Sequence, residues 1–319
     1  MLSRVAENLY WMARYIERAE NTARLVSVNA FLLLDLPRGL TPGWQPLIAI
    51  TGCEADYEAR HKEYDERSVV RYLVGDPNST ASILHALLMA RENCRTVRDI
   101  LPSAAWQQLT ELVLFVREHL QSGLGKRGRH PYLKRIIESC QTLDGLLAST
   151  MLHDAAFQVL RVGRHLERAD MTTRIIDVRS ENLLPSETYE LQLFENVQWM
   201  SVLKSLSAYQ MYRRRMQTQV QRLEVLRFLF LDRELPRSVL YSLDAVEESL
   251  GSLSTGQAAP RAARSVARQL SKTRFETLDH AALHALIDEL QGGLIFVHQA
   301  IAQTYFPPVL EQAQSQTQG

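Results

Sequence analysis

The sequence predicts an all-α protein, an internally duplicated helical bundle of two repeats of about 150 residues in a pseudo-twofold arrangement. Three observations predict it. Apolar residues recur at helical three-and-four spacing almost throughout the 319 residues. Strictly alternating runs, the mark of half-buried strands, are nearly absent. The stretch "RYIERAENTAR" at 14–24 returns as "RHLERADMTTR" at 164–174.

Taken in order, the first helix is expected over 2–34, where Leu9, Met12, Ile16, Ala19, Ala23 and Val26 build one core-facing stripe. "LTPGWQPL" offers Thr41 as an N-cap with Pro42 at the first helical position, and "GDPNSTASIL" restarts a helix near Ser79 that runs over 79–100. Breaks follow at "LPSAAW" (101–106) and at the basic, glycine-punctuated "SGLGKRGRHP" (122–131), which reads as a mobile linker between halves with room for an acidic partner. Long helices are then expected over 133–180, 188–230 and 276–305, with breaks at "NLLPSE" (182–187) and "SLSTGQAAP" (252–260) and a restart at Pro236 in "RELPRSVL". The sum is ten to twelve helices and no sheet.

The repeat organises these pieces. Arg14, Glu17, Arg18, Ala19, Thr22 and Arg24 recur as Arg164, Glu167, Arg168, Ala169, Thr172 and Arg174, with Glu20 answered by Asp170. Further along, Trp44 meets Trp199 and Tyr57 meets Tyr212 at an offset of 155, and Asp76 meets Asp232 and Ser82 meets Ser238 at 156. An offset that grows smoothly is what lengthening loops inside a duplicated unit produce. The division is therefore a first repeat over 1–125, a basic linker and connecting helix over 126–150, and a second repeat over 151–319, packed as one fused domain.

On the first helix Arg14, Glu17, Arg18 and Asn21 cluster opposite the oily stripe, yet the same side continues into Leu25 and Leu32 with Tyr10 and Trp11 at its flanks. A helix apolar on most sides is buried, and buried charges need partners. In one reading Glu17 pairs with arginines of its own or the partner helix, and the two repeats meet at a symmetric Arg/Glu network that fixes their register. In the other, Arg14, Arg18, Arg164 and Arg168 outnumber Glu17 and Glu167 by two and await an anion, a carboxylate or phosphate. Arg24 and Arg174 belong to the same cluster by repeat.

Elsewhere, Arg91, Arg95 and Arg98 form a secondary basic face, absent from the second copy. His280, His284 and Asp288 share a helical face at four-residue spacing, a weak metal-ligand pattern with no glutamate placed as a base. Arg213, Arg214 and Arg215 wrap around their helix and cannot face one ligand. No nucleophile elbow, zinc-protease, dinucleotide or phosphate-loop pattern occurs, so no cofactor is implied.

Composition narrows the setting. Hydrophobic residues make up 46% and charged residues 23%, a globular balance, and 36 basic residues face 36 acidic ones, which gives no bulk pull toward nucleic acid or anionic membrane. Only five lysines occur, so 31 of the 36 basic residues are arginine, the side chain suited to bidentate ion pairs. Cys53, Cys94 and Cys140 lack paired spacing and suit a reducing compartment. The charged first residues form no leader and no stretch is long enough to span a bilayer, so a cytoplasmic setting is expected.

Across "MLSRVAENLYWMARYIERAENTARLV", "ARENCRTVRD", Trp106 and "HLERAD", the chain resembles the alpha-E family, bacterial all-helical proteins named for a Glu-Arg motif. Cys94 stands where members tend to carry alanine in "RENxR". The resemblance covers essentially the whole chain. It implies association with circularly permuted ATP-grasp proteins, transglutaminase-like peptidases and at times a proteasome-like peptidase, in systems that form amide or peptide bonds. It carries no catalytic role. Three functions therefore stand side by side: an accessory subunit of an ATP-grasp amide ligase that binds the ligase and an anionic species at the Arg/Glu cluster, a stand-alone enzyme using Glu17 or Glu167 as base, and a structural scaffold. The oligomeric state is left open.

Overall fold

The computed structural model describes residues 2–35, 43–181, 189–217, 219–253 and 256–307. Thr41 and Pro42, and the break at 182–187, lie outside them. Among the described residues fifteen α-helices and one 3₁₀ turn follow one another, with no strand.

The first helix, α1 (Ser3–Asp35), runs close to the span its periodicity predicts, and its stripe from Leu9 to Val26 is buried to 3% exposure or less. Leu25 and Leu32 on the second face are buried as well. The helix is thus enclosed on most sides, packed against α5 (Ile83–Thr96), α8 (Lys126–Thr150), α9 (Ala155–Glu181) and α10 (Tyr189–Ser205). At Gly163 α9 crosses close to α1, where a Cβ would come within 2.4 Å of the Tyr10 carbonyl oxygen. Only glycine permits that crossing.

Short helices bridge the long ones: α2 (Gln45–Thr51), α3 (Glu54–Glu58), α4 (Glu66–Gly75), α6 (Ser103–Glu118) and α7 (Leu120–Leu124). The helix expected to restart near Ser79 begins later, because Ser82 is the residue whose hydroxyl accepts from the His85 amide at 3.0 Å. Ser79 instead lies buried in the turn before it. The expected linker at 122–131 is a correction of a different kind. Residues from Lys126 onward are helical, with Pro131 inside the second turn, and Arg129 is 5% exposed. Its guanidinium donates to Glu66 at 2.8 Å and stacks over Trp44, so the expected mobile linker is a helix start held at Arg129, with Lys126, Arg127 and His130 exposed.

The expected 133–180 helix is two helices. Asp154 ends the run by accepting from the amides of Ala156 and Phe157, an N-cap that starts α9 without any proline or glycine to announce it. The expected 188–230 helix is three, α10, α11 (Tyr209–Met216) and α12 (Arg222–Leu231). The breaks fall at Ser207 and Gln217, both in the left-handed region with φ of 54° and 53°. The restart expected at Pro236 falls at Ser238, which caps α13 (Val239–Ser252) by accepting from the Tyr241 amide at 3.1 Å. After α14 (Ala258–Ser271) and a 3₁₀ turn (Phe275–Thr277), Asp279 caps α15 (His280–Tyr305).

One contiguous core runs from Ala6 to Ile301, with Trp199, Tyr10, Tyr57, Tyr72 and Tyr212 among its largest fully buried side chains. At its centre α1 and α9 lie side by side, α8 against α1 and α15 against α9. No described helix is long and apolar enough to cross a membrane.

Candidate functional site

The α1–α9 seam brings the repeated charges together. Glu17 is 2% exposed, and its two oxygens accept from Arg168 Nε at 3.1 Å and Nη2 at 2.7 Å. Arg237, just before the α13 cap, adds a third donor and Asn21 Nδ2 a fourth at 3.2 Å. Across the seam Glu167, 1% exposed, accepts from Arg18 Nε at 2.6 Å and Nη2 at 3.1 Å and from Arg14 Nε at 2.6 Å. Arginine suits this geometry because its planar fork meets a carboxylate with two parallel donors. Burial alone would raise both carboxyls, but the guanidiniums of Arg168 and Arg237 hold Glu17, and those of Arg18 and Arg14 hold Glu167, well below the usual carboxylate range.

The rest of the cluster differs from the expected count of four arginines on two glutamates. Arg164 does not reach Glu17 or Glu167 among the described pairs. It donates to Asp144 on α8 at 2.8 Å. Arg24 pairs with Glu20 one turn below, and Arg174 with Asp170 at 3.0 Å. Glu20 also accepts from Arg237 Nη2 at 2.7 Å and Gln141 Nε2 at 3.2 Å. Seven arginines (14, 18, 24, 164, 168, 174, 237) therefore meet five carboxylates (Glu17, Glu20, Asp144, Glu167, Asp170) in this cluster. Burial pushes the Asp144 carboxyl up to about 6 against the pull of Arg164.

Arg237, Asp144 and Gln141 had not been singled out in the sequence. Arg237 had one legible signal: it stands directly before Ser238, which the repeat aligns with Ser82, so alanine (Ala81) and arginine occupy matching slots. Asp144 and Gln141 sit on α8, outside the repeated stretch, and only packing brings them in. The same holds for His298, whose ring nitrogen Nδ1 lies 2.8 Å from the hydroxyl of Tyr10, while Arg14 donates to that hydroxyl at 3.1 Å. Burial keeps His298 below its usual range, which suits a neutral acceptor.

The two halves of the seam end differently. Beside Glu167 a cavity of about 130 Å³ opens, lined by Arg18, Glu167, Asp170, Arg174, Thr80 and Ala81 among others. Thr80 is exposed at its rim. On the Glu17 side the Arg237 guanidinium lies against Glu17 and Glu20.

The remaining candidates are placed as follows. Arg91 and Arg98 both stack on Trp106, at 5.4 and 5.6 Å, and Arg95 pairs with the exposed Glu92, so the secondary basic face is tied down by its own neighbours. Of His280, His284 and Asp288, the last two come together with Asp177 of α9, and His280 is outside the group. The reason is packing: α15 meets α9 at His284, whose Nδ1 lies 2.7 Å from Asp177, while His280 opens the helix at its exposed end. A second group of carboxylates, Glu17, Glu20 and Asp144, is close enough to hold a cation, but Arg168, Arg237, Arg24 and Arg164 already bind those oxygens.

A model of the Alpha-E family, described as a predicted alpha-helical domain with a conserved ER motif, matches residues 1–306. Among curated proteins, uncharacterized proteins of Mycobacterium bovis and Mycobacterium tuberculosis are 23% identical over 93% of this chain. The chain spans 35% of the length of each. No solved structure matches it.

Proposed function

The chain belongs to the Alpha-E family, and from that premise we propose that it is a cytoplasmic accessory subunit of an ATP-grasp-type amide or peptide ligase system. It binds the ligase, a circularly permuted ATP-grasp protein, and holds an anionic group, carboxylate or phosphate, at the open edge of its Arg/Glu cluster. A transglutaminase-like or proteasome-like peptidase is a further partner in the same system. The observation that carries this reading is the saturation of Glu17 and Glu167. Each is buried and locked by three or more donors, so neither is free to take a proton near neutral pH. That counts against the stand-alone enzyme that would use Glu17 or Glu167 as its base, and favours reading the seam as a joint. The mycobacterial relatives support a partner role, since the matched sequence makes up about a third of each longer chain.

The two Glu-Arg pairs, Glu17–Arg18 and Glu167–Arg168, answer to the motif in the family's description. We read the chain as a duplication about a pseudo-twofold axis, with repeats over 1–125 and 151–319 joined by 126–150. In support, Ser82 and Ser238 both cap the helix that follows, and Asp76 and Asp232 both accept from the amide two residues on, at 2.9 and 2.8 Å. The pairs Arg18–Glu167 and Arg168–Glu17 are each other's exchange.

Co-purification of the tagged chain with the ATP-grasp protein, and assay of ligase activity with and without it, tests the proposal. A stable complex or a change in activity is expected, and neither appearing overturns it. A second reading, a scaffold whose Arg/Glu joint only holds the halves together, draws on the same saturation. It requires that no partner and no small molecule alter the stability of the wild-type chain.

A further inference from the structure

We infer that the cavity beside Glu167 binds a small zwitterion of the α-amino-acid class, with its carboxylate on Arg18 and Arg174 and its ammonium on Asp170. The inference deepens the proposed function by giving the anionic group a molecule, and it rests on that reading only for its biological purpose.

The first support comes from the other half of the seam. There Arg237 donates to Glu17, Asn21 and Glu20 at once. Beside Glu167 the matching residue is Ala81, whose methyl group leaves about 130 Å³ open, roughly ten times the space one water needs. A site that one half completes with a side chain is left in the other for something that arrives.

The second support is the sign of the walls. Two guanidiniums and two carboxylates line the cavity, and three of these groups, Arg18, Arg174 and Asp170, keep hydrogen-bonding capacity. Arg18 gives Nε and Nη2 to Glu167, and Arg174 gives only Nε to Asp170, which accepts at Oδ1 alone. Donors at Arg18 Nη1 and both Arg174 Nη, and an acceptor at Asp170 Oδ2, therefore stay available among the described residues. A simple anion would lie against Glu167 and Asp170, and a simple cation against Arg18 and Arg174. A molecule with both charges a few bonds apart meets each wall with its opposite.

The third support is preorganisation. Arg174 Nη1 packs over Gly52, where an added Cβ would come within 2.8 Å and φ is +66°. Glu167 is fixed by Arg14 and Arg18 and is 1% exposed. Groups held in place before binding lose little freedom when a ligand arrives, and desolvated charges pair more strongly.

The test is calorimetric titration and thermal shift of the isolated chain with glycine, L-alanine, L-serine and L-glutamate. L-alaninamide, N-acetyl-L-alanine, inorganic phosphate and guanidinium chloride serve as probes carrying one charge or one sign. At least one free amino acid is expected to bind and raise Tm, and capping either end is expected to weaken binding about tenfold or more, as loss of a charge-assisted hydrogen bond does. Ala81→Gln, which fills the cavity, should abolish binding, and Thr80→Phe, on the exposed rim, provides a second plug that leaves the core untouched. No binding by any free amino acid, binding of phosphate or guanidinium alone, or unchanged affinity in a folded plug variant overturns the inference. Because no ligase is present, failure here leaves the ligase complex standing, and failure of the complex leaves this binding standing.

Discussion

Arg168 on α9 grips Glu17 on α1 through both carboxylate oxygens, at 3.1 and 2.7 Å, with the glutamate 2% exposed. A buried pair of this kind contributes little net stability beside a well-packed apolar pair, yet removing one partner strands the other charge. Glu17→Gln and Arg168→Met are each expected to cost on the order of 3–5 kcal/mol, and the double variant less than their sum. Urea unfolding of the four proteins measures the coupling. Additive costs would mean that the pair is not a unit.

Acid should loosen the same seam. Glu17 and Glu167 have folded-state pKa values below their unfolded ones, so their contribution is fully present above the unfolded value near 4.5 and is lost as pH falls through the depressed folded values. Asp144 runs the other way. Its carboxyl, pushed up to about 6, contributes stability below the unfolded value near 3.8, and that contribution is lost as pH rises through 6. Tm is expected to fall steeply below pH 4.5, with a shallower decline between pH 4 and 7 that Asp144→Asn removes. A Tm profile of Asp144→Asn parallel to wild type across that upper window would refute the assignment.

How much of this was legible follows from what periodicity encodes. The stripe from Leu9 to Val26, the enclosure of α1, and the pairing of Glu17 and Glu167 with arginines follow from spacing plus the rule that buried charges are paired, whereas the packing of α1 on α9 decides that those arginines come from the facing helix. Helix ends at Asp154, Ser207 and Gln217 were not legible, because a capping aspartate or a single left-handed residue leaves no gap in the apolar pattern. Asp144 lies on the helix before Arg164 and His298 comes from the last helix, and their approach to Arg164 and Arg14 depends on packing no local pattern records.

The crossing at Gly163 gives a test of the seam's geometry that leaves its charges alone. Alanine favours a helix over glycine by about 1 kcal/mol, so propensity alone would make Gly163→Ala stabilising. Here the new methyl meets the Tyr10 carbonyl oxygen at 2.4 Å, and backbone atoms cannot step aside as a side chain tip can. A net loss of about 1–3 kcal/mol is expected, from α1 and α9 moving apart. Gly145→Ala and Gly292→Ala, also within helices and with nothing inside 4 Å, should gain up to about 1 kcal/mol. Equal effects at all three positions would mean that α1 and α9 do not approach as described.

Arg179 tests the opposite kind of buried charge. It is 3% exposed, donates through Nη2 to Asn29 Oδ1 at 2.9 Å, and burial, with no carboxylate facing it among the described residues, pushes its pKa down to about 10. An amide satisfies one donor but offsets little of the cost of taking a guanidinium out of water. Replacing the side chain with an apolar one of similar length removes that cost, whereas the same replacement at Arg168 strands Glu17. Arg179→Met is therefore expected to leave Tm unchanged or raise it, while Arg168→Met lowers it by several degrees. A drop at Arg179→Met as large as that at Arg168→Met would mean that Arg179 holds an acidic partner, and the distinction between a paired and an unpaired arginine on the same helix would fail.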